Sequence, residues 1–310
     1  MSKLSVNNLI SIHDLTLQDL NQIMVNSMTM KSMRKGRQPH DYLLGKILAM
    51  IFEKPSIRTR VSFEVGMYEL GGRAINLSRE DIQLGVRESI ADVANTLSRY
   101  VDGIMIRTFS HKKVLELAKH ASVPVINGLS DLLHPCQVLS DLFTIIEKKG
   151  TLDKVNIAFI GDGNNVCHSL MIAAAKIGFK LTIATPKGYE PNEKLVSLAF
   201  DDAKETGVEI DIINDPVSAV SGADVIYTDV WTSMGKEKEA AKRRKDFKGF
   251  QVNSDLVKLA NEDVIVMHCL PSHRGEEITD DVIDGPNSVI FDQAENRLHT
   301  QKAIMMMLLS

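Results

Sequence analysis

The feature that most constrains this chain is an alternation that runs from one end to the other: a short apolar run, a helical pattern, then another apolar run. In the first half the apolar runs are Ile47–Phe52, Arg73–Leu77, Gly103–Ile106 and Val123–Asn127. Helical patterns at Val61–Leu70, Ser89–Tyr100 and His111–His120 separate them, Leu15–Met33 precedes them with Thr16 as N-cap, and Pro135–Lys149 follows them with Gly150 as stop signal. The second half repeats the style. Its apolar runs are Val155–Ile160, Lys180–Ala184, Val208–Ile213, Val225–Tyr227, Val264–His268 and Ser288–Phe291, and its helical patterns are Asn165–Ile177, Asn192–Thr206, Lys236–Asp246 and Arg297–Leu309. Runs that are apolar throughout belong to strands buried on both faces, hence to parallel sheets covered by helices. Right-handed crossovers then make each half doubly wound. The expectation is an α/β chain of two doubly wound parallel-sheet domains, divided near 148–153 into 1–149 and 150–296.

Composition agrees and narrows the function. A chain of 310 residues has room for two ordinary domains. A net charge of −4 offers no attraction to nucleic acid, and without an apolar stretch of spanning length there is no sign of a membrane partner. Cys136, Cys167 and Cys269 are odd in number and widely spaced, which excludes a disulfide framework and a cysteine zinc site of usual spacing, and suits a reducing compartment. Met1–Ile12 lacks the pattern of a signal peptide, so the expected location is the cytoplasm.

In doubly wound sheets, ligands sit at the carboxyl ends of strands, so the residues after each apolar run are where chemistry is sought. After Ile47–Phe52 comes Glu53-Lys54-Pro55-Ser56-Ile57-Arg58-Thr59-Arg60. Hydroxyls, a planar guanidinium and a helix N-terminus make an anion cradle; the same segment also reads as a capped helix with solvated arginines. Gly161-Asp162-Gly163-Asn164-Asn165 begins like a dinucleotide fingerprint, but Val166 holds the third glycine position and no acid follows the next strand, so a nicotinamide cofactor is not expected. Asn165 reads as a helix cap or a ligand for a polar group, with the cap favoured. Asp229, after Val225–Tyr227, suits an amine or a simple strand end; Cys269 reads more readily as packing than as a reactive thiol. The basic run 242–245 reads as a solvated helix face. His268, His273 and Glu276 are interrupted by Pro271 and Gly275, and no metal is expected there.

Taken in order, these strand ends resemble the aspartate/ornithine carbamoyltransferase family, on its ornithine side. Phe52–Arg60 is similar to the family's S-T-R-T-R phosphate loop. Asp81–Gly85, Arg107-Thr108, His134-Pro135-Cys136-Gln137, Gly161–Asn165, Asp229–Gly235, His268-Cys269-Leu270-Pro271 and Ala294–Arg297 follow in the family's sequence. The resemblance implies carbamoyl transfer from carbamoyl phosphate to L-ornithine, giving L-citrulline and phosphate, without a cofactor, in an active-site cleft between the domains that closes on ornithine. It implies that Ser56, Ile57, Arg58 and Thr59 hold the phosphate, that Gln83 reaches carbamoyl phosphate in a neighbouring subunit of a trimer or multiple of trimers, and that Arg107 bridges phosphate and carbonyl oxygen. His134 would donate to that oxygen, Gln137 and the Leu270 carbonyl would hold the carbamoyl amide, and Arg297 would return to the site from a last helix, 297–310, packed back on the first domain. Asn165, Asp229, Ser233 and Met234 would bind the amino-acid end of ornithine, with Cys269 beside the reacting amine and the carbamoyl group. Arg58, Arg107, His134 and Cys269 would form the catalytic set. Putrescine and acetylornithine are the nearest rival amines, and a non-catalytic relative that binds phosphate or an amino acid is the rival class. One departure stands out: Ile57 replaces the first threonine of S-T-R-T-R, which costs nothing if a backbone N–H makes that contact and ~1.5–3 kcal/mol if a hydroxyl does.

Overall fold

The structure, a computed structural model, describes residues 3–310. In chain order the first elements are α1 (Leu17–Lys35), β1 (Ile47–Phe52), α2 (Ile57–Glu69), β2 (Arg73–Ser78), α3 (Arg79–Ile82), α4 (Ile90–Leu97), β3 (Gly103–Arg107), α5 (His111–His120), β4 (Val125–Leu129) and α6 (Pro135–Lys149). They are followed by β5 (Asn156–Ile160), α7 (Asn165–Ile177), β6 (Lys180–Ala184), α8 (Glu193–Thr206), β7 (Ile210–Ile213), α9 (Pro216–Val220), β8 (Val225–Thr228), α10 (Ala240–Asp246), α11 (Ser254–Val257), β9 (Ile265–His268), α12 (Asp280–Ile283) and α13 (Ile290–Leu309). The chain divides into two compact units, residues 1–143 with 295–310, and residues 144–294.

The first unit holds a parallel sheet in the order β2-β1-β3-β4. Its core gathers Ala49, Ile51, Ile104, Ile106 and Val125 from the strands with Val93, Val114 and Leu117 from helices. The chain enters at β1, winds outward to β2, then crosses to β3 on the other side. The loops after β1 and β3 therefore diverge and open a crevice, with Phe52 and Arg107 paired at its floor. The second unit holds a parallel sheet in the order β7-β6-β5-β8-β9. Here the winding reverses between β5 and β8, whose last residues Ile160 and Thr228 are paired. Both units are thus doubly wound, as the apolar runs required.

The differences from the sequence expectation have local causes. The helix expected from Val61 starts at Ile57, because Ser56 caps it by accepting from the Thr59 N–H at 3.2 Å; Arg58 and Arg60 hide that first turn from an apolar-period reading. The fourth strand lies two positions later than Val123–Asn127, since Pro124 has no N–H to give and Gly128 and Leu129 continue the ladder. Ser288–Phe291 is not a strand: Ser288 forms one isolated bridge to Val266, and the chain turns into α13 at Ile290 rather than at Arg297. Lys236–Asp246 is a 3-10 turn at Glu237–Glu239 leading into α10. The basic run there is not wholly solvated either, for Arg243 is 4% exposed.

The Gly-x-Gly turn after β5 owes its first glycine to backbone conformation and its second to packing. Gly161 has φ +144°, a conformation side chains rarely adopt, and a Cβ on Gly163 would lie 2.3 Å from the Pro191 nitrogen. The buried residues Val166 to Ala175 then fill the space beside the sheet.

Candidate active site

In the first unit the residues singled out at strand ends converge on His134, which opens α6 and is buried. Burial holds its imidazole well below the usual histidine range, and the positive charges of Arg297, Arg107, Arg58 and Lys54 reinforce that. The ring is therefore neutral at pH 7, with one N–H to donate and no charge of its own. Arg297, on α13 and 2% exposed, donates from Nη1 to Gln137 Oε1 at 2.5 Å and from Nη2 to Thr59 Oγ1 at 3.1 Å. With its amide turned to accept, Gln301 receives Arg297 Nη2 and Nε at 2.9 and 3.0 Å.

Each member owes its place to the element carrying it. Ser56, Ile57, Arg58 and Thr59 are the N-cap and first turn of α2, where helix N–H groups lack intrahelical partners. Ile57 itself is 74% exposed, so what position 57 presents to an anion at the helix end is its backbone N–H. Arg107 ends β3 and is half-buried. Gln137 is engaged at both ends, its Nε2 donating to Asp141 Oδ1 at 2.8 Å while its oxygen receives Arg297, so it orients that guanidinium. Gln83 stands on the exposed rim: it ends α3 in the left-handed region at φ +39°, and Lys113 holds the neighbouring Leu84 carbonyl at 2.9 Å while pairing with Glu53 at 2.6 Å. Lys54 was not foreseen; 8% exposed, it lies 4.2 Å from the Phe109 ring centroid, and nothing in its spacing distinguishes it from a surface lysine. Four cations around one neutral hydrogen-bond donor suit a doubly charged phosphate carrying a carbonyl that must be polarised.

The second unit gathers a different chemistry at its own crevice. Asp229, after β8 and 7% exposed, accepts from the Val230 N–H at 2.8 Å, from Asn164 Nδ2 at 2.7 Å and from Cys269 Sγ at 3.1 Å. Cys269 is half-buried and bonded to a carboxylate, not packed away. Cys136 and Cys167 are the inert ones: burial pushes the Cys136 thiol up to about 12 and Cys167 well above its usual value. The helix cap expected at Asn165 belongs to Asn164, whose Oδ1 accepts from the Val166 and Cys167 N–H groups at 3.0 and 3.1 Å. Two adjacent asparagines after a glycine fit the cap rule equally, and only the tertiary structure separates them. Asn165 is thereby relieved of capping, at the first helical position and half-buried. Ser233 is half-buried and Met234 42% exposed, on the loop between β8 and α10.

The turn after β9 is held from below. His268 Nδ1 accepts from the Leu270 N–H at 2.9 Å, and its Nε2 lies 3.1 Å from Glu277 Oε1 in full burial. This fixes Leu270 at φ +58°, next to Cys269. The possible metal-ligating trio is therefore not His268, His273 and Glu276 but Asp229, His268 and Cys269, whose ligand atoms lie within 4.8 Å of one another. Both His268 nitrogens already have partners, so that trio does not present three open ligands. A buried carboxylate with a thiol and helix-end amides suits an amino acid's ammonium group and a second amine beside the sulfur.

Comparison with known proteins agrees with this division of chemistry. The family "Aspartate/ornithine carbamoyltransferase, carbamoyl-P binding domain" matches residues 7–147, and "Aspartate/ornithine carbamoyltransferase, Asp/Orn binding domain" matches residues 153–308. The chain is 60% identical to the ornithine carbamoyltransferase of Thermococcus kodakarensis over 95% of this chain and 93% of that one. It is 58% identical to the anabolic ornithine carbamoyltransferase of Pyrococcus furiosus, over 96% and 94%. Among solved structures, the ornithine carbamoyltransferase of Pyrococcus furiosus superposes with a TM-score of 0.97 at 56% identity, covering 100% of this chain and 99% of that one. The anabolic enzyme of Campylobacter jejuni does so with 0.93 at 38%, covering 98% and 99%.

Proposed function

The chain belongs to the aspartate/ornithine carbamoyltransferase family, and from that premise we propose that it transfers the carbamoyl group of carbamoyl phosphate to the δ-amine of L-ornithine, releasing L-citrulline and phosphate. The observation that carries the reading is the neutral, buried His134 surrounded by Arg297, Arg107, Arg58 and Lys54. An anion at the α2 N-terminus meets Ser56, Arg58, Thr59 and the Ile57 N–H, and Arg107 and His134 address the carbonyl oxygen of the group it carries. Arg297 and Gln137 complete that pocket. Asp229, Asn165 and the Ser233-Met234 loop take the α-amino and α-carboxyl groups of ornithine.

The reaction joins the δ-nitrogen to the carbonyl carbon and breaks the bond from that carbon to the phosphate oxygen. Only a neutral amine has the lone pair for this. Cys269 gives its S–H to Asp229 and keeps sulfur lone pairs toward which the amine N–H can point, and the proton that nitrogen sheds as the bond forms leaves on the released phosphate. Charge growing on the carbonyl oxygen falls on Arg107 and His134; charge retained by the leaving phosphate falls on Arg58, Arg297 and the helix end.

The same reading makes the protein a biosynthetic enzyme of arginine metabolism, in line with its anabolic relatives. It makes the working form a homo-oligomer, a trimer or a multiple of trimers, in which Gln83 serves a neighbouring site; exposed Ile57, Val61, Tyr68, Ile75 and Val86 on the first unit supply an apolar surface for a second copy. Among the described residues no helix is long and apolar enough to cross a membrane, and three cysteines that form no disulfide support a cytoplasmic setting. The test is citrulline formation from carbamoyl phosphate and ornithine, with putrescine, acetylornithine and aspartate in parallel. Turnover with ornithine alone is expected. Turnover with another amine would retain the phosphate half and discard the ornithine half; none at all, from folded protein, would leave a binding protein.

A further inference from the structure

The last helix buries polar side chains along the stretch that runs beside α2. Arg297, Thr300, Gln301 and Lys302 of α13 are each 2% exposed or less. Three of them meet α2 in order: Arg297 donates to Thr59, Gln301 bonds to Ser62, and Lys302 Nζ donates to Glu69 Oε2 at 2.7 Å. The two helices therefore run parallel here. Lys302 Nζ also donates to His40 Nε2 at 2.5 Å, while His40 Nδ1 gives its proton to the Gln38 carbonyl at 2.7 Å. Glu69 receives Arg34 of α1 as well, and Lys31 of α1 donates to Asn296 Oδ1 at 2.8 Å.

We propose that Lys302 is a positioning residue for carbamoyl phosphate binding: its bonds to Glu69 and His40 fix the register of α13 on α2 and so set where Arg297 stands beside Thr59. This rests on the reading of that pocket as the carbamoyl phosphate site. The apolar part of the interface sets no register. Gly66 has no side chain, and a Cβ there would lie 2.8 Å from Met305 Cε and 3.2 Å from Lys302 Cγ, so the helices lie close. Met305, Met306 and Met307 are buried, and methionine adapts to the gap it meets. The bonds of Arg297 itself serve poorly, since a guanidinium that takes up an anion gives some of them up. Lys302 lies about 7.5 Å further along the helix axis, and its partners are not those of the anion. A slip of one residue rise, about 1.5 Å, is more than the bonds from Arg297 to Thr59 and Gln137 tolerate.

The choice of residue fits placement better than stability. A buried ion pair commonly contributes no more than apolar side chains of the same volume, so packing alone gives no reason for an ammonium here. Burial pulls the Lys302 ammonium below its usual range, with Glu69 as the foremost opposing influence. A fourth methionine beside 305–307 would fill the space. An ammonium held between a carboxylate on α2 and an imidazole from the segment after α1 is directional, and a thioether is not.

The experiment compares wild type with Lys302→Met, Glu69→Gln and the double variant Glu69→Leu/Lys302→Met in the full chain. Four quantities are read: KM for carbamoyl phosphate, KM for ornithine at saturating carbamoyl phosphate, Tm, and Kd for inorganic phosphate by calorimetry. Lys302→Met removes the tie but leaves Glu69 paired with Arg34. It is expected to raise KM for carbamoyl phosphate and Kd for phosphate fivefold or more, since displacement of a binding group by about 1 Å has effects of that order or larger. KM for ornithine is expected within twofold of wild type. The double variant puts an apolar pair in place of the buried charges and returns Arg34, 44% exposed, to water. It is expected to match or exceed the wild-type Tm with KM for carbamoyl phosphate still raised, and it alone decides if Lys302→Met does not fold. Glu69→Gln keeps an acceptor oxygen for Lys302 and is expected to hold KM for carbamoyl phosphate within twofold. A fall in that KM and in Kd for phosphate with Glu69→Gln would show Lys302 acting on the anion through space and would overturn the proposal. So would a KM for carbamoyl phosphate within twofold of wild type in the double variant, or a parallel rise in both KM values. Wild-type turnover with ornithine decides the functional reading beforehand, and phosphate binding reports the placement of Arg297 whichever amine is carbamoylated, so the two failures are distinguishable.

Discussion

Replacing Arg297 by methionine separates binding from folding in the first unit. Methionine fills much of the buried space but removes one cation and the donors to Gln137, Thr59 and Gln301. A hydrogen bond to a charged group contributes ~1.5–3 kcal/mol, so if Arg297 makes one such bond to bound carbamoyl phosphate, KM for that substrate rises roughly ten- to a hundredfold. Stability moves little. The Gln137 and Thr59 oxygens lose a donor, at a cost of about 1–3 kcal/mol each if buried unmet, the Gln301 amide can turn back to meet Ser62, and a buried charge and its repulsion by neighbouring cations disappear. The net change in Tm is therefore expected to be a few degrees at most. After burial, the Arg297 charge is the strongest influence depressing His134. Its loss must raise the His134 pKa, a shift visible by proton NMR of the imidazole. Steady-state kinetics at saturating ornithine, a thermal melt and that titration form one data set. A change in KM for carbamoyl phosphate below threefold, or a His134 pKa that stays where it was, would refute the cation-ring argument.

Three further outcomes follow from the same geometry. Cys269→Ser keeps a donor to Asp229 but exchanges a polarisable thiol for a hydroxyl; kcat is expected to fall about ten- to a thousandfold with KM for carbamoyl phosphate unchanged, and a kcat within twofold would show that Cys269 does not assist the amine. Ile57→Thr restores the usual family residue, but Ile57 points outward and only its backbone N–H stands at the helix end, so KM for carbamoyl phosphate is expected to change less than threefold; a tenfold fall would show that the hydroxyl matters. Burial holds His299 at about 4, against ~6.5 when unfolded. The unfolded chain therefore takes up that proton first, so the contribution of His299 is complete above pH ~6.5 and is lost as pH falls toward 4, at most roughly 3 kcal/mol. In urea melts between pH 7 and 4, His299→Gln is expected to flatten part of the acid-side loss of stability; an unchanged profile would contradict this.

Much of the architecture was legible because it is local. A run such as Ile47–Phe52, apolar at every position, has no stable place except a strand covered on both faces, and it forms β1 with those bounds. Pro135–Lys149 and Asn165–Ile177 read as helices and are α6 and α7, since caps and periodicity act over a few residues. The winding rule then directs attention to strand ends, and in the first unit Arg58, Arg107, His134 and Arg297 do assemble about one point.

What only the tertiary structure decided are pairings between residues far apart in the chain. Thr59 with Arg297, Asp162 with Arg243 and Asn164 with Asp229 have no signature in either local segment. Arg243 illustrates the reason: the basic run around it reads as a solvated helix face, and it does pair with Glu239 one helical turn away, but its burial and its ion pair with Asp162 come from the fold bringing α10 over the end of β5. Whether Asn164 or Asn165 caps a helix, and whether Cys269 packs or faces a carboxylate, likewise depend on which neighbour the chain delivers. Periodicity sets what each segment becomes, because the hydrophobic effect acts on every segment alone; hydrogen bonds and ion pairs are directional and short-ranged, so their partners exist only once the sheets have formed.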